Sequence, residues 1–180
     1  MTKFDFGDGN GPVPAHRHQN QTGTMGGWVA DTAEVAETAI VGRSAKVFGH
    51  AQVKGEARIL GSTQVRDDAQ VEMMVKIYGF AMIAGQARVS GETIVSDRAT
   101  IDGNAVVFDR ARISGNAQIG GDAVIGFETV VCGAKINGYA KLFLDKSEPV
   151  TDGVEISSGY RRTPYSDLVH LLQLDTDIGF

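Results

Sequence analysis

Four histidines and one cysteine are the residues of this 180-residue chain best suited to acid–base, nucleophilic or metal chemistry. His50 is the only histidine inside a long repetitive stretch, and Asp68 follows it eighteen residues later. An imidazole oriented by a carboxylate is a general base for a hydroxyl or amine, provided the fold brings the two together. His16 and His18 form a His-x-His pair. Two neighbouring ligands without a third do not make a metal site, so both are expected to belong to an N-terminal cap and no metal is expected. His170 falls among Leu168, Val169, Leu171 and Leu172, where packing is the expected role. Cys132 follows Val131 with no base near it in sequence, which fits an inert surface or interface thiol better than a nucleophile.

Composition narrows the classes further. The net charge of −5 gives no electrostatic case for a nucleic-acid or anionic-membrane partner. Tyr160-Arg161-Arg162 is the only notable basic point, and two arginines do not make a nucleic-acid site. One cysteine rules out an internal disulfide. The first residues are acidic and glycine-rich, unlike a signal peptide, and no apolar run approaches membrane-spanning length, so a cytoplasmic protein is expected. The 23 glycines against four prolines fit many tight turns, and no Gly-x-x-x-x-Gly-Lys-Ser/Thr phosphate loop occurs.

The elements that must position these residues come from a repeat. From Val29 to Val131 every sixth residue is Val or Ile, eighteen in succession. Two places after each stands most often Gly, otherwise frequently Asp, as at Asp31, Asp67, Asp97 and Asp109; four places after stands a small residue, mostly Ala. A period of six smears around a helix but keeps every Val and Ile on one side of a strand. The β-branched column is then the core face, and the Gly/Asp position marks a bend at positive φ. One hexad cannot bury its own apolar face, so the hexads must stack.

The Val-x-Gly-x-Ala-x pattern over about two thirds of the chain resembles the hexapeptide-repeat superfamily. That resemblance implies an all-β, left-handed parallel β-helix, a triangular solenoid with three hexads per coil and about six to seven coils. It also places Asp68 one coil beyond His50, followed by Gln86, Asn104 and Asp122 along the same edge. The best-known members are trimeric acyltransferases using CoA or acyl-carrier thioesters, with an active-site histidine between subunits and a loop inserted between coils. On that pattern His50, with Asp68, is the catalytic candidate and acetyl-CoA the donor. Here the hexads run without an inserted residue, a departure that points to a non-catalytic member. The zinc-dependent carbonic anhydrases of this fold need three histidines, and only His50 lies on the coils. The leader from Gly11 to His18, ahead of Gly26-Gly27-Trp28-Val29-Ala30, is similar to leaders of phage- and prophage-encoded members.

The expected division is a cap over 1–27, the β-helix over 28–142, and a C-terminal extension over 143–180. In that extension Pro164-Tyr165-Ser166-Asp167 predicts the start of a short helix with Leu168, Val169, Leu171, Leu172 and Leu174 as its apolar face. The step from Val131 to Ile136 is five residues, which predicts a shortened turn. Trp28 is expected to lie over the first coil. The largest irregularity is at 71–82, where Met73 replaces the turn Gly or Asp and Val75 replaces the small Ala. Leu60, Met73, Met74, Tyr78, Phe80 and Met82 are expected to form an apolar contact patch on one face, flanked by Phe48 and Ile94. Another face is expected to carry Glu56, Glu92 and Glu128 near Arg58, Lys76, Arg110 and Arg112 as a solvated charge ladder. The expectation is a non-catalytic homotrimeric binding or scaffold protein, phage-derived and directed at a host protein or small molecule. A CoA-dependent acyltransferase is the alternative.

Overall fold

The computed structural model describes residues 2–162. The expected C-terminal helix and His170 lie outside the described residues. No helix occurs among those described, and none is long and apolar enough to cross a membrane.

The chain winds as a solenoid in which short strands, mostly two residues long, fall in turn into three sheets of ten, eight and six strands. From Met25–Ala30 to Val124–Phe127 each strand pairs in parallel with the one three strands on, so Val29 sits beside Val47, Val53 beside Val71, and Ile59 beside Ile77. Eighteen residues therefore make one coil, as the resemblance implied. The sequence alone leaves that number open, because any whole number of hexads keeps the Val column inside. Coils are joined by backbone hydrogen bonds such as Glu34 N–H to the Ala51 carbonyl at 2.9 Å and Gln70 N–H to Ala87 at 2.9 Å. The eight-stranded sheet runs to Tyr160–Arg162, and parallel stacking continues past Leu142 through Glu155–Ile156. The solenoid thus has about eight turns, more than the six to seven expected. Residues after 142 add strands without repeating the hexad consensus.

The core is narrow and continuous. From Val41 to Leu142 the Val/Ile/Leu column is essentially inaccessible to solvent, and so are the Ala residues beside it. Val75 is as buried as the alanines whose place it takes. Of the three threonines there, Thr93 donates to the Ser90 carbonyl at 2.7 Å and Thr129 to Gly126 at 2.6 Å, whereas the buried Thr63 hydroxyl has no partner. A buried unpaired hydroxyl costs about 1–3 kcal/mol, so the near-isosteric Thr63→Val should raise stability by about 1 kcal/mol in urea unfolding. A fall in stability would contradict this account of the column.

Positive φ recurs at the predicted bends from Gly49 to Gly133, whatever residue stands there. Asp does more than tolerate that conformation. The carboxylates of Asp67, Asp97 and Asp109 each accept the backbone N–H eighteen residues on, from Gly85, Gly115 and Phe127, at 2.9–3.0 Å. Asp31 lies outside this series; its φ is not positive and it pairs with His16 instead. The five-residue step is a shortened turn. Gly133 turns at φ 76° with the Asp152 carboxylate packed over it, and the register drops so that Gln118 meets Lys135.

The N-terminal end is closed by an antiparallel hairpin. Val13–Gln19 pairs with Met25–Ala30, and Lys3–Phe4 pairs with Val13–Gln19. Trp28 is part of the first coil, stacked on Phe4 at 4.4 Å with the Arg17 guanidinium 5.0 Å from its ring centroid. The hairpin's side chains serve the open edge at Ile40–Val41. Asn20 accepts from Val41 N–H at 2.9 Å and donates to its carbonyl at 3.2 Å; His18 meets the Ala39 carbonyl and Arg17 the Arg43 carbonyl. Side chains here replace a missing strand, which blunts an edge that would otherwise template association. Asn20→Ala orphans a buried N–H and carbonyl and should cost about 1–3 kcal/mol, with faster amide exchange at Val41. Unchanged exchange at Val41 would show that Asn20 does not cap it.

Candidate functional site

The histidine candidates disperse. The register does set the turn at His50 beside the turn at Asp68, with His50 N–H donating to the Asp67 carbonyl at 2.7 Å. Both side chains are exposed, and among the described residues no side-chain hydrogen bond joins them. The imidazole therefore lacks the orienting partner that a general base at this position needs most. His16 makes the histidine–carboxylate contact instead, Nδ1 lying 2.8 Å from Asp31 Oδ1 in an exposed position. Because His16 and Asp31 meet only through the antiparallel hairpin, no repeat spacing could have paired them. His18 is buried and engaged with the Ala39 carbonyl, so the His-x-His residues have separate partners. Among the described residues no three His, Cys, Asp or Glu side chains cluster in a manner suited to a metal. Cys132 is half-buried in the strand Val130–Cys132 beside Ser114.

The apolar candidates do not share one face. Met73 and Met74 stand at the turn leaving the eight-stranded sheet. Tyr78 lies on the six-stranded sheet one coil from Leu60, and Phe80 stands at the next turn with Arg98 over its ring at 6.0 Å. Met82 is on the ten-stranded sheet, where Arg66 Nε approaches its sulfur at 3.4 Å. Met73 to Met82 thus pass over three sheets around about half of one coil, and Leu60 lies one coil earlier. Phe48 does not flank them. It is buried beneath the N-terminal hairpin, stacked on Phe6 at 4.8 Å. Ile94 is near Met74, as expected.

One region concentrates unusual features. The turn column leaving the eight-stranded sheet carries Gly55, Met73, Gly91, Asp109 and Phe127, one per coil. Met73 and Phe127 have φ of 66° and 64°, and they are the only residues other than Gly and Asp at positive φ among those described. Bulky side chains in that region are strained by about 1–2 kcal/mol, because Cβ crowds the following carbonyl. Met73 is 60% exposed, so burial does not explain it. Both line one groove of about 490 Å³ with Met74, Gly91, Glu92, Asp109 and Arg110. A second groove of about 490 Å³ continues over the six-stranded sheet and shares Met74, Glu92 and Arg110; Arg58, Lys76, Ile94 and Arg112 also line it. The charge ladder and the methionines, expected on different faces, are thus adjacent.

Only one ion pair forms in this region among the described residues, Arg110 with Glu128 at 3.3 Å. Arg58, Lys76 and Arg112 stand in one column on the sheet, without an ion-pair partner among the described residues. Phe127 is the residue that the sequence reading missed. Its signal was present: a bulky residue in a position otherwise held by Gly or Asp, a multiple of eighteen after Met73.

The molecule is a parallel β-solenoid with three strands per turn, whose most distinctive surface is this strained groove. Compared with known protein families and with curated proteins, the chain matches none.

Proposed function

We propose that this protein is a rigid, non-catalytic binding or scaffold module that acts by contact, as a cytoplasmic homotrimer of left-handed β-helices. The observation that carries the reading is the retention of Met73 and Phe127, outward-facing and bulky, in a backbone conformation that favours glycine. Strain of this kind persists where the side chain is needed, and it collects at ligand clamps and similar sites. A stacked solenoid suits the task, because each coil is held by its neighbours and its outer side chains stay in fixed register. The phage-like leader fits a target in a host cell, a protein or a small molecule.

Self-association is assigned to half-buried Leu60 and exposed Tyr78 and Phe80, apolar residues on and beside the six-stranded sheet. Sedimentation equilibrium should give a trimer for the native protein and a smaller species for Tyr78→Glu/Phe80→Glu, with thermal unfolding retained. A variant as fully associated as the native protein would sink that assignment. The acyltransferase reading, with His50 and Asp68 acting on acetyl-CoA, draws no support from the exposed and unoriented imidazole.

A further inference from the structure

The last described coil ends the core column on a cation. Val150, Ile156 and Arg161 stack on Val131, Ile136 and Leu142, so they hold the three inward positions of that coil. The residues they stack on are fully buried. Arg161 is exposed, and among the described residues its guanidinium has no ion pair and no hydrogen bond. It lines a groove of about 520 Å³ at this end with Leu144, Glu148, Pro149, Val150 and Val154.

The same coil presents an open strand edge. One coil earlier, the N–H groups of Lys135, Asn137 and Lys141 donate to the Val154, Ile156 and Gly159 carbonyls at 2.9 Å. The N–H groups in the matching places, on Glu155, Ser157 and Tyr160, meet no acceptor among the described residues. Such an edge templates further pairing unless it is covered, as the hairpin covers the opposite end. Residues 163–180 follow directly, and they do not spell another coil. Six-residue steps from Arg161 fall on Asp167, Gln173 and Gly179, none of them β-branched. The apolar Leu168, Leu171 and Leu172 instead have the spacing of one helix face. This stretch carries three aspartates and neither lysine nor arginine, which complements Arg161 and an edge of N–H donors. Covering Arg161 without a partner would bury an unpaired charge, so the covering segment must bring a carboxylate.

We propose that residues 164–174 of this chain dock on the C-terminal end of the solenoid as its cap. Leu168, Leu171 and Leu172 lie against Val150 and Val154, and Asp167, six residues after Arg161, pairs with its guanidinium. The cap keeps the solenoid finite, so that copies meet through their sides and not end to end.

Amide hydrogen exchange of the full-length protein tests this at Asn137 and Lys141, whose N–H groups bond to the last coil. Both should exchange at the same rate in dilute and in concentrated protein. Leu168→Ser/Leu171→Ser/Leu172→Ser should quicken both at least tenfold, while Val41 N–H at the opposite end keeps its rate. Arg161→Glu should also quicken both, and Arg161→Glu/Asp167→Lys should return them to the native rate. Unchanged exchange in the leucine variant, or no recovery in the charge-swapped one, would overturn the proposal. So would exchange that slows as protein concentration rises, because the occupant would then be the end of a second copy.

Discussion

Ile101→Ala is expected to lower the unfolding free energy by about 2–5 kcal/mol. Ile101 is fully buried and lies between Ile83 and Ile119 in the ten-stranded sheet. The core there is a column of one Val or Ile per strand with alanines beside it, so few side chains are available to fill the gap. Moving the neighbouring strands inward would break their hydrogen bonds, Met82 N–H to Ala99 and Thr100 N–H to Ala117 among them. A solenoid transmits such damage mainly to adjacent coils. Amide exchange should therefore quicken around residues 82–119 while the N-terminal hairpin keeps its protection. Urea unfolding measures the loss. A change under about 1 kcal/mol, or equal exchange along the whole chain, would contradict the stacked-column account.

The second large effect separates stability from binding. Met73→Gly and Phe127→Gly should each leave the protein as stable or add up to about 1 kcal/mol. Glycine relieves about 1–2 kcal/mol of strain at positive φ and returns roughly half of it as unfolded-chain entropy. Exposed Met73 has little packing to lose, and half-buried Phe127 has somewhat more, so Met73→Gly should show the larger gain. Contact function should nevertheless fall by at least tenfold. Residues that cost stability where they stand, and whose replacement by the local consensus abolishes binding, are held for function. Destabilisation by more than 1 kcal/mol in Met73→Gly would mean that the side chain supports the fold instead.

The parts of this structure set by period were legible in the sequence. A six-residue clock with β-branched residues at one phase admits strands and excludes helices, and the side-chain columns follow from it. The eighteen-residue coil needed the resemblance. What escaped were contacts that the clock does not govern. The hairpin pairing of His16 with Asp31, and the burial of Phe48 under Phe6, depend on how residues 2–24 fold back onto the first coil. The strands after Leu142 were missed because they follow sheet pairing without the consensus. The candidate site was half legible. Met73 stood out in a window of consecutive residues, but Phe127 joins it only once turns are compared at intervals of eighteen. The expected single patch failed for the same reason, since neighbours in sequence wrap around the coil and neighbours in space lie one coil apart.

The most direct test of the contact-module account is native mass spectrometry of the purified protein with 1 mM acetyl-CoA. The account predicts the mass of a homotrimer, free of CoA adducts, with an identical spectrum for His50→Ala. A stoichiometric CoA adduct that disappears in His50→Ala would contradict it and return the acyltransferase reading to first place.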